Sequence, residues 1–287
     1  MSKLRFIAIT PARDEGSFLP RLIASMTAQT LKPARWIVID DGSTDTTAQI
    51  LGQAAARHPW IEVKHLPAGR ERLPGGESIL MRFLPKEVWQ DYEAILRIDA
   101  DISFKPDFAE LLASEFKRDP ALGIVGATLF EPEGTAWREI RSPGYHTRGA
   151  VKMYSRACFE AIGGLASGLG WDTLDEARAM MLGYKSRSFR HIRACHHRPQ
   201  GAAGGYLQGN LAAGRAAYNV GYHPLFLMMR AAKRGFSWPP VIGGMFLLAG
   251  YLEGYLRRNQ KIASPDLVKF IRRQQLRRLL MMESVWR

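Results

Sequence analysis

Two short apolar runs, residues 4–10 and 36–40, flank a helix-period segment at 19–29, and this spacing restricts the fold more than any other feature of the chain. Each run ends at polar or turn-forming residues, so the unit reads strand, helix, strand. Such strands pair in parallel through a right-handed crossover, because a tight turn cannot reach a parallel neighbour. The pattern continues. Ser43 and Asp45 are placed to cap a helix over 46–56, residues 61–65 read as a third strand, and 94–98 read as a buried strand that stops at Asp99. Residues 123–129 and 151–154 add strands, 172–182 add a helix closed by Gly183, and 185–193 form a short approach to His196. The expected class is α/β: a mixed, mostly parallel sheet flanked by helices.

At 287 residues with 46% hydrophobic content, the chain can bury a large core, which argues against disorder. Cys158 and Cys195 form no CxxC pair, so neither a disulfide framework nor a cysteine zinc site is expected, and a reducing cytoplasm fits. The opening apolar run is shorter than the core of a secretory signal. No stretch reaches the roughly 20 apolar residues of a spanning helix. The net charge of +13 is uneven: residues 226–287 hold twelve Lys or Arg against three acids, a net of +9, leaving +4 for residues 1–225. This divides the chain into a domain at 1–225 and a basic, helical extension at 226–287. Residues 267–280 alternate apolar and basic side chains. With Trp238, Phe246 and Leu247 they suit either a peripheral contact with an anionic membrane or a helix packed on the domain with a solvated basic face.

In open α/β sheets ligands bind beyond the carboxyl ends of the strands. Two acidic clusters fall there, Asp40-Asp41 and Asp99-Ala100-Asp101. Two carboxylates one residue apart at a turn can hold a hard divalent cation that bridges a diphosphate, although a solvated turn has the same appearance. A carboxylate at the end of the second strand can accept from a base or ribose, and Gly42 permits close backbone approach. Asp40 and Asp41 are harder to explain as structure than Ser43 and Asp45.

Residues 9–47, the Asp99-Ala100-Asp101 turn and the 170–184 segment together resemble the family 2 glycosyltransferases of the GT-A fold, over roughly residues 4–200. The resemblance implies a metal-dependent, inverting transfer from a nucleotide sugar, with a UDP-sugar the expected donor, to an acceptor hydroxyl in cell-surface polysaccharide or glycolipid synthesis. The acceptor would be a saccharide or lipid-linked. It implies that Pro11, Ala12, Arg13 and Glu15 line the nucleotide pocket, that Asp41 contacts the base, and that Asp99 contacts ribose or metal. Asp101 would be the main ligand of Mn²⁺ or Mg²⁺. Ala12 and Arg13 depart from the aromatic residue and Asn that many members carry. Registering the chain on Arg178 and Gly183 makes Asp172 the catalytic base, with Trp171 where the family has Glu; Asp175 and Glu176 are rivals if the register slips. His196 or His197 would supply a third metal ligand, Arg198 would neutralise diphosphate, and Arg70 would reach the nucleotide. The His146–Ala150 segment would shape the sugar and acceptor site.

The location expected is cytoplasmic, with peripheral contact at the inner face of the cytoplasmic membrane through 226–287. A nucleotidyltransferase on a similar core is the alternative enzyme, but it would need a glycine-rich loop after the first strand, and residues 10–15 contain no Gly. A nucleic-acid-binding protein would need a basic stripe with interleaved aromatics, whereas the basic residues here cluster in an apolar tail; no nucleic acid is expected.

Overall fold

Alternation along the strands decides the layering. The computed structural model describes residues 4–68, 77–198, 205–235, 241–257, 259 and 261–286. Its elements run β1 (Phe6–Ala12), α1 (Leu19–Thr27), β2 (Arg35–Asp40), α2 (Thr47–Arg57), β3 (Ile61–His65), α3 (Glu77–Arg82), α4 (Lys86–Trp89), β4 (Ala94–Ile98), β5 (Ile102–Phe104) and α5 (Phe108–Arg118). There follow β6 (Leu122–Glu133), β7 (Ala136–Glu139), β8 (Val151–Ser155), α6 (Arg156–Ala161), α7 (Trp171–Met181), β9 (Lys185–His196), α8 (Gly205–Val220), α9 (Pro224–Gly235), α10 (Ile242–Leu256) and α11 (Pro265–Leu279).

The strands form one sheet in the order β3-β2-β1-β4-β8-β6-β9-β5, with β7 on β6. The first four are parallel, as the crossover argument requires. β8 then runs antiparallel to both β4 and β6, and β9 returns parallel to β6. Ile9 lies opposite both Ile37 and Arg97, so β1, β2 and β4 are in step and end on one edge of the sheet.

Successive side chains on a strand point to opposite faces. Ile7, Ile9, Ile37, Ile39 and Ile95 therefore meet one helical layer, built from α6, α7 and the C-terminal helices through Phe159, Leu174, Leu247, Tyr251, Leu267 and Ile271. Phe6, Ala8, Trp36, Val38 and Leu96 meet the other, built from α1, α2 and α5 through Leu19, Leu22, Met26, Leu51 and Leu112.

The C-terminal helices are part of the first layer. Leu267 and Ile271 of α11 are fully buried, Tyr145 stacks on Trp286, and Arg278 donates to the Tyr145 hydroxyl at 2.9 Å. The apolar face of 267–280 is thus packed on the domain, and Leu247 is buried with it. Trp238 lies outside the described residues. α8 and α10 approach so closely that a side chain at Gly250 would overlap the Leu211 carbonyl. What stays exposed is a different apolar face. Ile242, Met245, Leu252 and Leu256 follow each other at helical spacing on the outer side of α10, and α9 exposes Leu225, Met228 and Met229. Among the described residues, no helix is long and apolar enough to cross a membrane.

Candidate metal and transfer site

The loops after β1 and β2 are knitted together. Asp14 adopts a left-handed backbone (φ 55°); its N–H donates to Ser43 Oγ at 3.0 Å and its carboxylate accepts from the Thr44 N–H at 2.8 Å. Asp45 accepts from the N–H groups of Gly16 and Thr47, each at 2.9 Å. Burial opposes ionisation of Asp45, but these bonds outweigh it and hold its pKa below the usual carboxylate value. Ser43 and Asp45 are therefore loop stitches, not caps: the N-cap of α2 is Thr46, with no side-chain cap. Asp40 is likewise structural, accepting from the Ser43 N–H and bonded to His65 Nδ1, both at 3.0 Å. Its neighbour Asp41 sits 3.7 Å from the Arg13 guanidinium. Gly42 (φ +72°) makes the turn where any side chain would strike the Pro67 carbonyl. Pro11 and Ala12 belong to the end of β1 itself, because the strand runs two residues further than its apolar run.

β4 ends at Ile98, and the chain turns through Asp99 and Asp101 into β5, whose Ile102 pairs with His196 of β9. That pairing brings donor atoms of Asp99, Asp101 and His196 within 4.8 Å of one another. His196 Nε2 is 3.4 Å from Asp101, and its Nδ1 is 3.3 Å from Glu131 on β6. Burial depresses the His196 pKa, but Asp101, Asp99 and Glu131 outweigh it and the net shift is upward. Asp99 is raised by burial despite Arg97, which lies 2.7 Å away. Two carboxylates and an imidazole whose second nitrogen faces a carboxylate suit a divalent cation of the Mn²⁺ or Mg²⁺ kind.

Of the two expected histidines, His196 is the one whose ring lies beside Asp99 and Asp101. His197 instead bonds Ser103 Oγ at 2.7 Å and meets Trp137 edge to face. His196 is also the last residue of a twelve-residue strand, longer than the run 185–193. Arg198 joins the loop after β1 to the Asp99–Asp101 turn: its guanidinium bonds Glu15 at 2.5 Å and lies 3.9 Å from Asp101. Arg70 lies outside the described residues, as do Arg72, Gly75 and Gly76.

Asp172 occupies the first turn of α7, whose N-cap is Gly170 (φ +98°) with no side-chain cap, so capping is not its role. The Trp171 ring lies against both Arg97 (4.9 Å) and Lys152 (5.3 Å), which are paired across β4 and β8. Gly149 packs against Trp171 and Asp172 so tightly that a Cβ there would lie 2.8 Å from the indole and 3.5 Å from Asp172 Cβ. The next carbonyl, that of Ala150, accepts the Asp99 N–H at 2.9 Å. Asp99 and Asp172 thus flank the same two residues.

The rivals Asp175 and Glu176 face inward. Asp175, fully buried, accepts from Lys152 Nζ at 2.9 Å and from the Tyr154 hydroxyl; burial pushes its pKa up to about 6. Glu176 accepts from the Thr147 N–H and hydroxyl at 2.7 and 2.6 Å and bonds His146 Nδ1 at 2.9 Å. Lys152, itself fully buried, also donates to the Asp172 carbonyl at 2.5 Å. Glu131, Arg97 and Lys152 were not singled out by sequence reasoning. Each sits inside a strand, and only strand register reveals what it faces.

The chain shares the fold of the GT-A glycosyltransferases. A mannosyltransferase, PcManGT from Pyrobaculum calidifontis, solved with GDP-Man and Mn²⁺, superposes with a TM-score of 0.57 at 18% identity, covering 99% of this chain and 77% of that one. GalNAc-T7, solved with UDP, GalNAc and Mn²⁺, gives 0.60 at 15% identity, covering 98% and 55%. Residues 7–166 match the Glycosyl transferase family 2, and the chain belongs to that family. Chondroitin synthase of Escherichia coli is 29% identical over 118 residues, 41% of this chain and 16% of that protein. N-acetylglucosaminyl-diphospho-decaprenol L-rhamnosyltransferase of Mycobacterium tuberculosis is 26% identical over 157 residues, 52% of this chain and 48% of its own length. The chain spans less than half the length of these curated relatives.

Proposed function

We propose that the protein is an inverting glycosyltransferase that moves a sugar from a nucleotide sugar, a UDP-sugar foremost, to an acceptor hydroxyl in polysaccharide or glycolipid synthesis. The observation that carries this reading is the shared Gly149–Ala150 link, with Asp99 bonded to one side and Asp172 packed on the other. Asp172 is the base that takes the acceptor proton as the acceptor oxygen attacks the anomeric carbon and the nucleoside diphosphate departs. Asp101, Asp99 and His196 would hold Mn²⁺ or Mg²⁺, which when bound would offset the charge of the diphosphate. Pro11, Ala12, Arg13, Glu15 and Asp41 form the nucleotide side, with Arg198 between Glu15 and Asp101.

Residues 1–225 carry the catalysis, and the acceptor is a saccharide or is lipid-linked. Residues 226–287 contribute a peripheral membrane contact on the cytoplasmic side. The exposed apolar face of α10 supports that contact, together with the charge of 205–257, which holds five Lys or Arg against the single acid Glu253. Glu253 is already paired with Arg215 and Arg257.

The test is turnover of nucleotide sugars with and without Mn²⁺. Asp172→Asn is expected to lower transfer by about 10²–10⁴-fold while donor affinity is kept. Asp101→Ala is expected to abolish the Mn²⁺ dependence of donor binding. Normal transfer by Asp172→Asn removes the base from this reading.

A further inference from the structure

Beside the transfer site lies a cavity of about 300 Å³ between β6, β7 and the 140–148 segment. It is lined by three arginines, Arg141, Arg148 and Arg190, and one acid, Glu139, with Ser142 and Ser188. Glu139, 3.8 Å from Arg190, offsets one of these charges. Arg141 makes no ion pair among the described residues. The walls are braced: the Ser188 N–H donates to the Gly144 carbonyl and its hydroxyl to the His146 carbonyl, both at 2.9 Å.

Arg148 connects this cavity to the proposed chemistry. Its Nε donates to Ser142 Oγ at 3.1 Å, and its guanidinium lies in the fields of Glu131, which faces His196, and of Asp172. The residue that follows it is Gly149, packed on Asp172. The cavity wall and the residue packed on Asp172 are thus consecutive in the chain.

We propose that the cavity receives a phosphate or diphosphate group carried by the acceptor. This rests on the transferase reading and names the class of its second substrate. Guanidinium groups bind phosphate oxygens through paired N–H donors, which a lysine cannot match. Three cations against one anion leave a surplus of about two charges, which complements a phosphate monoester or a diphosphate diester better than it does a singly charged carboxylate.

Isothermal titration of the full chain with hexose 1-phosphate, a methyl hexoside and a hexuronic acid, without donor, tests the assignment. Hexose 1-phosphate is expected to bind most tightly. The double variant Arg141→Gln/Arg190→Gln, which alters only exposed side chains outside the transfer machinery, is expected to weaken that binding about 10-fold or more and to leave the methyl hexoside and donor hydrolysis unchanged. Equal binding of hexose 1-phosphate and methyl hexoside by the unaltered chain overturns the proposal. So does a double variant that retains the phosphate preference, and hexuronic acid binding as tightly as the phosphate overturns the choice of anion. Phosphate binding lost in the double variant, in a chain that hydrolyses no nucleotide sugar, supports the cavity assignment and defeats the transferase reading instead.

Discussion

Lys152→Met is the most informative single change, because it separates a structural charge from a catalytic one. The ammonium has no exposed surface and lies 2.9 Å from Asp175, 3.1 Å from Glu176 and 2.5 Å from the Asp172 carbonyl. Methionine fills a similar volume and removes the charge, leaving two adjacent buried carboxylates with His146 as their remaining cationic neighbour. Breaking a buried pair from one side costs about 3–5 kcal/mol, a large share of the roughly 5–15 kcal/mol that holds a typical domain folded. The sign of the pH dependence follows from Asp175. Its pKa is already raised to about 6 with Lys152 present, and loss of the ammonium raises it further. A carboxyl whose folded pKa lies above its unfolded value takes up a proton on folding, so its contribution is present at low pH and is lost as pH rises through the folded value. The variant's deficit in urea unfolding should therefore be larger at pH 8 than at pH 5, and Asp175→Asn added to Lys152→Met should recover part of it. A single variant within about 1 kcal/mol of the parent at pH 8 refutes the reasoning, as does a deficit that does not change with pH.

Glu131→Gln keeps the size of the side chain that faces His196 Nδ1 but removes its charge; Mn²⁺ affinity measured by titration should fall about 10-fold or more, and an unchanged affinity would show that His196 needs no such orientation. On the outer side of α10, Met245→Glu/Leu252→Glu/Leu256→Glu should weaken cosedimentation with phosphatidylglycerol vesicles about 10-fold without altering donor hydrolysis. Equal sedimentation of parent and variant would place the membrane contact elsewhere or remove it.

The parallel half of the sheet and the edge that carries the acidic clusters were legible in the chain. Apolar runs with period two, separated by a helix-period segment, have few other ways to pack. Asp41, Asp99, Asp101 and Asp172 could be named because each lies next to a local signal, a strand end or a helix start. Tertiary packing settled what such signals leave open. It separated Asp40, tied to Ser43 and His65, from Asp41 beside Arg13. It buried Asp175 and Glu176 around Lys152, and by pairing β5 with β9 it set His196, not His197, beside Asp99 and Asp101. It also turned the apolar face of α11 inward and left a second apolar face of α10, Ile242, Met245, Leu252 and Leu256, exposed. Period along one segment says that a face is apolar. Which neighbour covers that face, and which distant carboxylate meets a given cation, depends on contacts between residues up to 183 positions apart, such as Glu15 and Arg198, and local sequence carries no record of them.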